Sequence, residues 1–135
     1  MKMIQAYPHI KDNLEAVRAR IASASRHAGR SEQETQLIAV SKKFSEESIR
    51  HAFASGQRRF GENYIQEASV KIDNLNDLSI EWHFIGPIQS NKTRQIATKF
   101  DWVHSVDRVK VAQRLSEARS LMRHRLKVCL QVNIT

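Results

Sequence analysis

Cysteine is nearly missing from this sequence: Cys129 is the only one. A lone thiol forms no internal disulfide and builds no cysteine-based zinc site, and it fits a reducing compartment. Proline and glycine number 2 and 4, which excludes collagen-like and linker compositions. No apolar run approaches the roughly 20 residues that cross a bilayer. The start, Met1 to Ala6, has no apolar stretch of the signal-peptide kind. A cytoplasmic protein with no membrane partner is the expectation. Acid is also short, with 14 Asp and Glu against 22 Lys and Arg, leaving a net charge of +8. Such a balance draws phosphates in nucleic acid, lipid or a small ligand alike, so the choice falls to motifs. What is present is globular: 41% hydrophobic over 135 residues, enough for one domain or a piece of a larger one.

The hydrophobic pattern opens with an amphipathic helix over residues 8–28. Ile10, Leu14, Val17, Ile21, Ala24 and Ala28 share one face, with Lys11, Glu15, Arg18 and Arg26 on the solvated side and Gly29 as the stop. Short apolar runs then alternate with helical stretches. Leu37 to Ser41 reads as a buried strand, followed by a helix capped by Ser45 and ended by Gly56. Arg58 to Gly61 is a short, weak strand before a helix from Asn63 with Ile65, Ala68, Ile72 and Leu75 on one face. Glu81 to Gly86 is the third strand, residues 89–99 are helical, and Trp102 to Val106 is the fourth. Asp107 caps a long helix running to Met122, and Leu126 to Ile134 is the longest strand candidate. Alternating strands and helices imply right-handed crossovers and a parallel α/β sheet. Periodicity alone leaves an open doubly wound sheet and part of a barrel both standing.

Ligands of parallel α/β folds bind at the C-terminal ends of the strands. Three segments reach that rim. In Ser41-Lys42-Lys43, alternation puts Lys42 on the face of Ile38 and Val40, where partial desolvation favours the neutral amine that attacks aldehydes. The same two lysines also read as the solvated start of a loop. In Phe60-Gly61-Glu62-Asn63-Tyr64, Asn63 either caps the helix or turns its amide to a ligand. In the third, Trp82 to Lys92, His83 lies mid-strand, where a histidine is commonly a bonded core residue, and Gln89 to Lys92 set polar groups near the rim.

Taken in order, Leu37-Ile38-Ala39-Val40-Ser41-Lys42, Phe60-Gly61-Glu62-Asn63-Tyr64-Ile65-Gln66-Glu67 and Trp82-His83-Phe84-Ile85-Gly86-Pro87-Ile88-Gln89-Ser90-Asn91-Lys92 resemble the pyridoxal-phosphate homeostasis protein family, across essentially the whole chain. The resemblance implies a (β/α)8 barrel like the N-terminal domain of alanine racemase. Residues 1–135 would then be a single domain, the N-terminal half of that barrel, with about five parallel strands and helices outside. It implies pyridoxal 5′-phosphate as cofactor, held as a Schiff base on Lys42, with Asn63 and His83 around the pyridoxal ring. It implies cofactor storage and carriage to apo-enzymes, with no settled turnover. Lys43-Phe44 departs from the threonine or asparagine and nearby proline of many members, which makes Lys43 a competitor for the aldehyde. Members run about 100 residues further, by analogy with a complete barrel, and the phosphate site is expected among those later strands. A five-stranded part of a barrel also leaves Leu126 to Ile134 as an apolar edge open to self-association.

Two other classes stay in view. A pyridoxal-phosphate-dependent amino-acid racemase needs a second acid/base opposite the lysine, and neither tyrosine, Tyr7 or Tyr64, is placed for it by the pattern. Nucleic-acid binding would use the basic run from Arg108 to Lys127, which lacks interleaved base-reading groups and reads as a solvated helix face. The six histidines show no metal-ligand spacing, and no glycine-rich phosphate loop occurs.

Overall fold

The strands follow one another across the sheet in chain order. In the computed structural model, which describes residues 2–135 with side chains from His9 onward, the elements are α1 (Lys2–His27), β1 (Ala39–Val40), α2 (Glu46–Ala54), β2 (Arg59–Glu62), α3 (Ile65–Asn74), β3 (Glu81–Phe84), α4 (Thr93–Lys99), β4 (Trp102–Val106), α5 (Val109–Arg119) and β5 (Lys127–Leu130). All neighbours are parallel, in the order β1-β2-β3-β4-β5. A doubly wound sheet reverses its strand order at a switch point, and this one never does. Right-handed crossovers in unbroken order put the helices on one face, as in the wall of a barrel.

That helix-facing side is the core. Phe60, Trp82, Phe84 and Val103 project from β2, β3 and β4 against Ile49, Ile96, Val111 and Leu115 of the helices, all at 5% exposure or less. Burying each such side chain contributes about 1.5–3 kcal/mol. Arg119 is buried too. It donates to the carbonyls of Ala97, Phe100 and His124 at 2.6–2.8 Å and so closes the end of α4.

Several boundaries differ from the pattern. α1 begins at Lys2, and Arg18 lies on its packed side, donating to Ser55 O and Gln57 Oε1. β1 is two residues long and Val40 is 48% exposed, because β1 is an edge strand whose inner face is open. β2, read as weak, is central and buried between β1 and β3. Asn63 does not cap α3, whose N-cap is Tyr64 with no side-chain bond. Asp107 does not cap α5; it pairs with Arg108, and the helix ends at Arg119. β5 stops at Leu130, so β4 is the longest strand. Ser45 does cap α2, its Oγ accepting from Ser48 N–H.

Candidate functional site

The C-terminal end of β1 passes into a tight turn, Ser41 to Phe44, closed by Phe44 N–H donating to Ser41 O at 3.1 Å. Lys43 takes a left-handed backbone there, φ 63°. For a residue with a Cβ this costs about 1–2 kcal/mol and persists where its surroundings impose it. Lys42 lies in the turn, beyond the strand, and is exposed. The desolvation expected from an apolar strand face therefore does not apply, since the strand ends two residues earlier.

Under the turn lies a cluster the sequence pattern gave no role. Glu62 is 0% exposed and Lys71 is 6% exposed. The Lys71 ammonium donates to Ser41 O at 2.7 Å, Glu62 Oε2 at 3.1 Å and Glu67 Oε1 at 2.7 Å, so all three of its donors are engaged. Ser41 Oγ donates to Glu62 Oε2, and Lys43 N–H donates to Glu67 Oε1. Removing one partner of such a buried pair typically costs about 3–5 kcal/mol, because the other charge is left unpaired. Burial pushes the Glu67 carboxyl up, but the bonds from Lys71 and the Lys43 amide and both ammonium charges outweigh it, and the group titrates below its ordinary value. Lys71 had a visible signal: it falls on the apolar face of α3, three residues after Ala68 and four before Leu75.

The two adjacent lysines diverge. The Lys43 ammonium sits 5.9 Å from the centroid of the Tyr64 ring, while its backbone is tied to Glu67. Lys42 makes no hydrogen bond or ion pair among the described residues. Asn63 follows β2, where Glu62 pairs with Phe84, and its buried Oδ1 has no partner among the described residues. It lines a cavity of about 400 Å³ shared with Tyr64, Gln89 and Lys92. Gly86 makes this approach possible: a Cβ there would lie 2.4 Å from Asn63 O.

His83 is placed differently. It pairs with Gly61, which pairs with Val40, so it sits deeper than Lys42 on the inner face. Its Nε2 bonds Glu81 Oε1 at 2.8 Å and its Nδ1 bonds His104 Nε2 at 2.9 Å. Trp102 stacks on its ring, 5.7 Å between centroids, and Arg59 Nε pairs with Glu81 at 3.2 Å. Both ring nitrogens are thus engaged. With Glu81 accepting, His83 Nε2 carries the proton and Nδ1 accepts from His104. Burial holds His83 below its ordinary value, partly countered by Glu81 and reinforced by His104; burial likewise lowers His104. Linear spacing did not reveal this pair, which parallel register between β3 and β4 creates.

Of the racemase candidates, Tyr64 is half-exposed beneath the Lys43 ammonium, and the side chain of Tyr7 lies outside the described residues. In the basic run, Arg119 is buried on backbone carbonyls, while Arg108 and Arg114 donate to Ile88 O and Ser90 O. These three cations tie elements together, while Lys110, Arg123, Arg125 and Lys127 of the same run are exposed. Among the described residues no helix is long and apolar enough to cross a membrane.

Residues 13–135 match the family described as alanine racemase, N-terminal domain. A protein of Pseudomonas aeruginosa named pyridoxal phosphate homeostasis protein is 56% identical over 126 residues, covering 93% of this chain and 55% of the relative. The Escherichia coli K12 protein of the same name is 46% identical over 129 residues, covering 93% of this chain and 55% of the relative. The structure of PipY from Synechococcus elongatus PCC7942 with PLP bound is 40% identical with a TM-score of 0.80, covering 93% of this chain and 55% of that one. The chain thus spans a little over half the length of these relatives.

Proposed function

The chain belongs to the alanine racemase N-terminal domain family, and from that premise we propose that it binds pyridoxal 5′-phosphate and serves cofactor homeostasis, with Lys42 as the attachment point. The observation that carries this reading is the divergence of the two lysines at the end of β1. Lys43 is turned to Tyr64 and held at its amide by Glu67, whereas Lys42 is exposed and unpaired among the described residues. The names of the bacterial relatives and the PLP-bound PipY structure support the choice of cofactor.

When bound, the group supplies an aldehyde that condenses with a neutral amine, forming a C=N bond and releasing one water, and hydrolysis reverses it. The residues present fit such a group. Lys42 offers the amine, and Asn63 offers an orphaned acceptor at the same rim. His83 lies deeper, its ring nitrogens engaged by Glu81 and His104, and would line the inner wall of a site that holds the group. Residues 1–135 would form the lysine-bearing half of the barrel. Storage and release to cytoplasmic apo-enzymes need this reversibility and no base aimed at a substrate carbon. The open edge at β5, where Leu130 is 75% exposed, is where two copies would associate. Sedimentation that stays monomeric across micromolar concentrations would remove that last element alone.

The test of the main reading is direct. Pyridoxal phosphate is added to the purified chain, the mixture is reduced with borohydride, and the peptides are mapped by mass. A pyridoxyl group on Lys42 is expected. Finding it on Lys43, or scattered over many lysines, sinks the assignment.

A further inference from the structure

We propose that Lys71, Glu62 and Glu67 form a positioning cluster that decides which of the two adjacent lysines meets the aldehyde, an inference that rests on the cofactor reading above. The cluster grips the chain on both sides of one residue. Upstream of Lys42, Lys71 binds Ser41 O, and Ser41 Oγ binds Glu62. Downstream, Glu67 accepts the Lys43 N–H while itself held by Lys71. Lys42 is the single residue between the two anchored points.

The grip also explains the backbone. A left-handed Lys43 sends successive side chains in different directions from the turn, so the two ammonium groups separate. Lys43 goes over the Tyr64 ring, and Lys42 is left free at the strand end. Without the Glu67 bond the turn keeps only its Phe44 N–H to Ser41 O closure, and Lys43 is freer to relax toward the conformations that residues with a Cβ prefer. Two lysines of the same chemistry would then compete. Glu62 and Lys71 are buried beneath the turn and serve as its foundation, with Lys71 spanning both anchor points. None of the three side chains needs to touch the cofactor. Each acts through the turn.

Glu67→Ala is the variant of choice, because Glu67 is partly exposed and its loss leaves the Lys71–Glu62 pair intact. Lys71→Met strands a buried carboxylate and risks unfolding, so it is a secondary probe. The first readout needs no cofactor. Hydrogen exchange of the Lys43 amide should quicken at least about tenfold in Glu67→Ala, the loss of one charge-assisted hydrogen bond. Glu67→Gln keeps an acceptor oxygen and should restore most of the protection. The second readout is borohydride trapping with pyridoxal phosphate: label confined to Lys42 in the parent chain should spread to Lys43 in Glu67→Ala and return to Lys42 in Glu67→Gln. Unchanged exchange in Glu67→Ala overturns the cluster. Faster exchange with label still confined to Lys42 overturns its selecting role. A parent chain that takes no label at Lys42 overturns the cofactor reading, and the purpose assigned here falls with it, whatever the exchange shows.

Discussion

The two faces of this sheet are built on different terms. Toward the helices, β2, β3 and β4 present Phe60, Trp82, Phe84 and Val103, sealed by apolar neighbours. Toward the other side the same strands present Arg59, Glu81, His83 and His104, joined in one chain of polar contacts, and β1 leaves Val40 half-exposed. Because side chains alternate along a strand, residues adjacent in sequence belong to opposite regimes, Phe60 beside Arg59 and Trp82 beside His83. The helix-facing side gains its stability from area removed from water. The inner side can gain little that way, and its groups hold one another in defined protonation states. Glu62 is the exception that joins the two, a carboxylate on the sealed side at the strand end nearest the rim, kept there by Lys71 and Ser41.

The comparison can be broken most severely from the sealed side. Phe84→Ala should cost about 3–5 kcal/mol, because Phe84 is 2% exposed and packs edge-on against Phe100. Urea unfolding measures it, and a loss under 1 kcal/mol would mean the face is not close-packed. Next comes the rim between β2 and β3. Gly86→Ala should cost about 1–3 kcal/mol, since the added Cβ meets the rigid Asn63 backbone and the strand ends must part. The same substitution should weaken cofactor binding by displacing Asn63, which a pyridoxal-phosphate titration checks.

The sealed side was largely legible in the sequence. Its periodicity placed five strands and the helices between them, and the caps at Ser45, Gly29 and Gly56 fell where expected. Strand order settled barrel against doubly wound sheet, which no local pattern could do. At the site, the ordered motifs singled out Lys42, Asn63 and His83. They did not show what surrounds them. The His83–His104 contact depends on register between two strands 21 residues apart in their histidines, and the Lys71 cluster depends on β1, β2 and α3 meeting at one point. Lys71 looked like any surface lysine on composition, although its place on an apolar helix face marked it. The edge strands are shorter than their apolar runs, because Leu37 to Ser41 and Leu126 to Ile134 extend beyond the residues that find a pairing partner.

The inner side should respond to pH where the sealed side does not. His83 and His104 both titrate below the ordinary histidine value, so the folded chain holds fewer protons than the unfolded one in the window below about 6.5. Stability is therefore fully present above that value and is lost as pH falls toward the folded values. The slope cannot exceed about 1.4 kcal/mol per pH unit for each proton taken up. Replacing His104 by Phe should flatten the dependence between about pH 7.5 and 5.5, because one of the two groups is gone and the charge that opposes His83 protonation goes with it. Equal slopes in the two proteins would assign the titration elsewhere. Glu67 acts in the same direction at lower pH: its lowered carboxyl contributes stability above the ordinary carboxylate value that is lost on acidification through the folded one.

The smallest expected effect on stability falls at the residue with the largest functional claim. Lys42 is exposed, lies outside the strand and makes no bond among the described residues. Lys42→Ala should therefore leave the unfolding free energy within about 0.5 kcal/mol, as surface substitutions away from special features do. The same variant should lose the borohydride-trapped pyridoxyl group, since the turn would then offer only Lys43, bound at its amide by Glu67 and turned to Tyr64. Paired measurement of stability and label separates two accounts of this lysine. If Lys42 served the fold, both quantities would drop together. If it serves the cofactor, stability holds and label disappears. Label transferred at full yield to Lys43 in Lys42→Ala would show that the turn leaves both amines equally free, and would remove the asymmetry on which the choice of Lys42 depends.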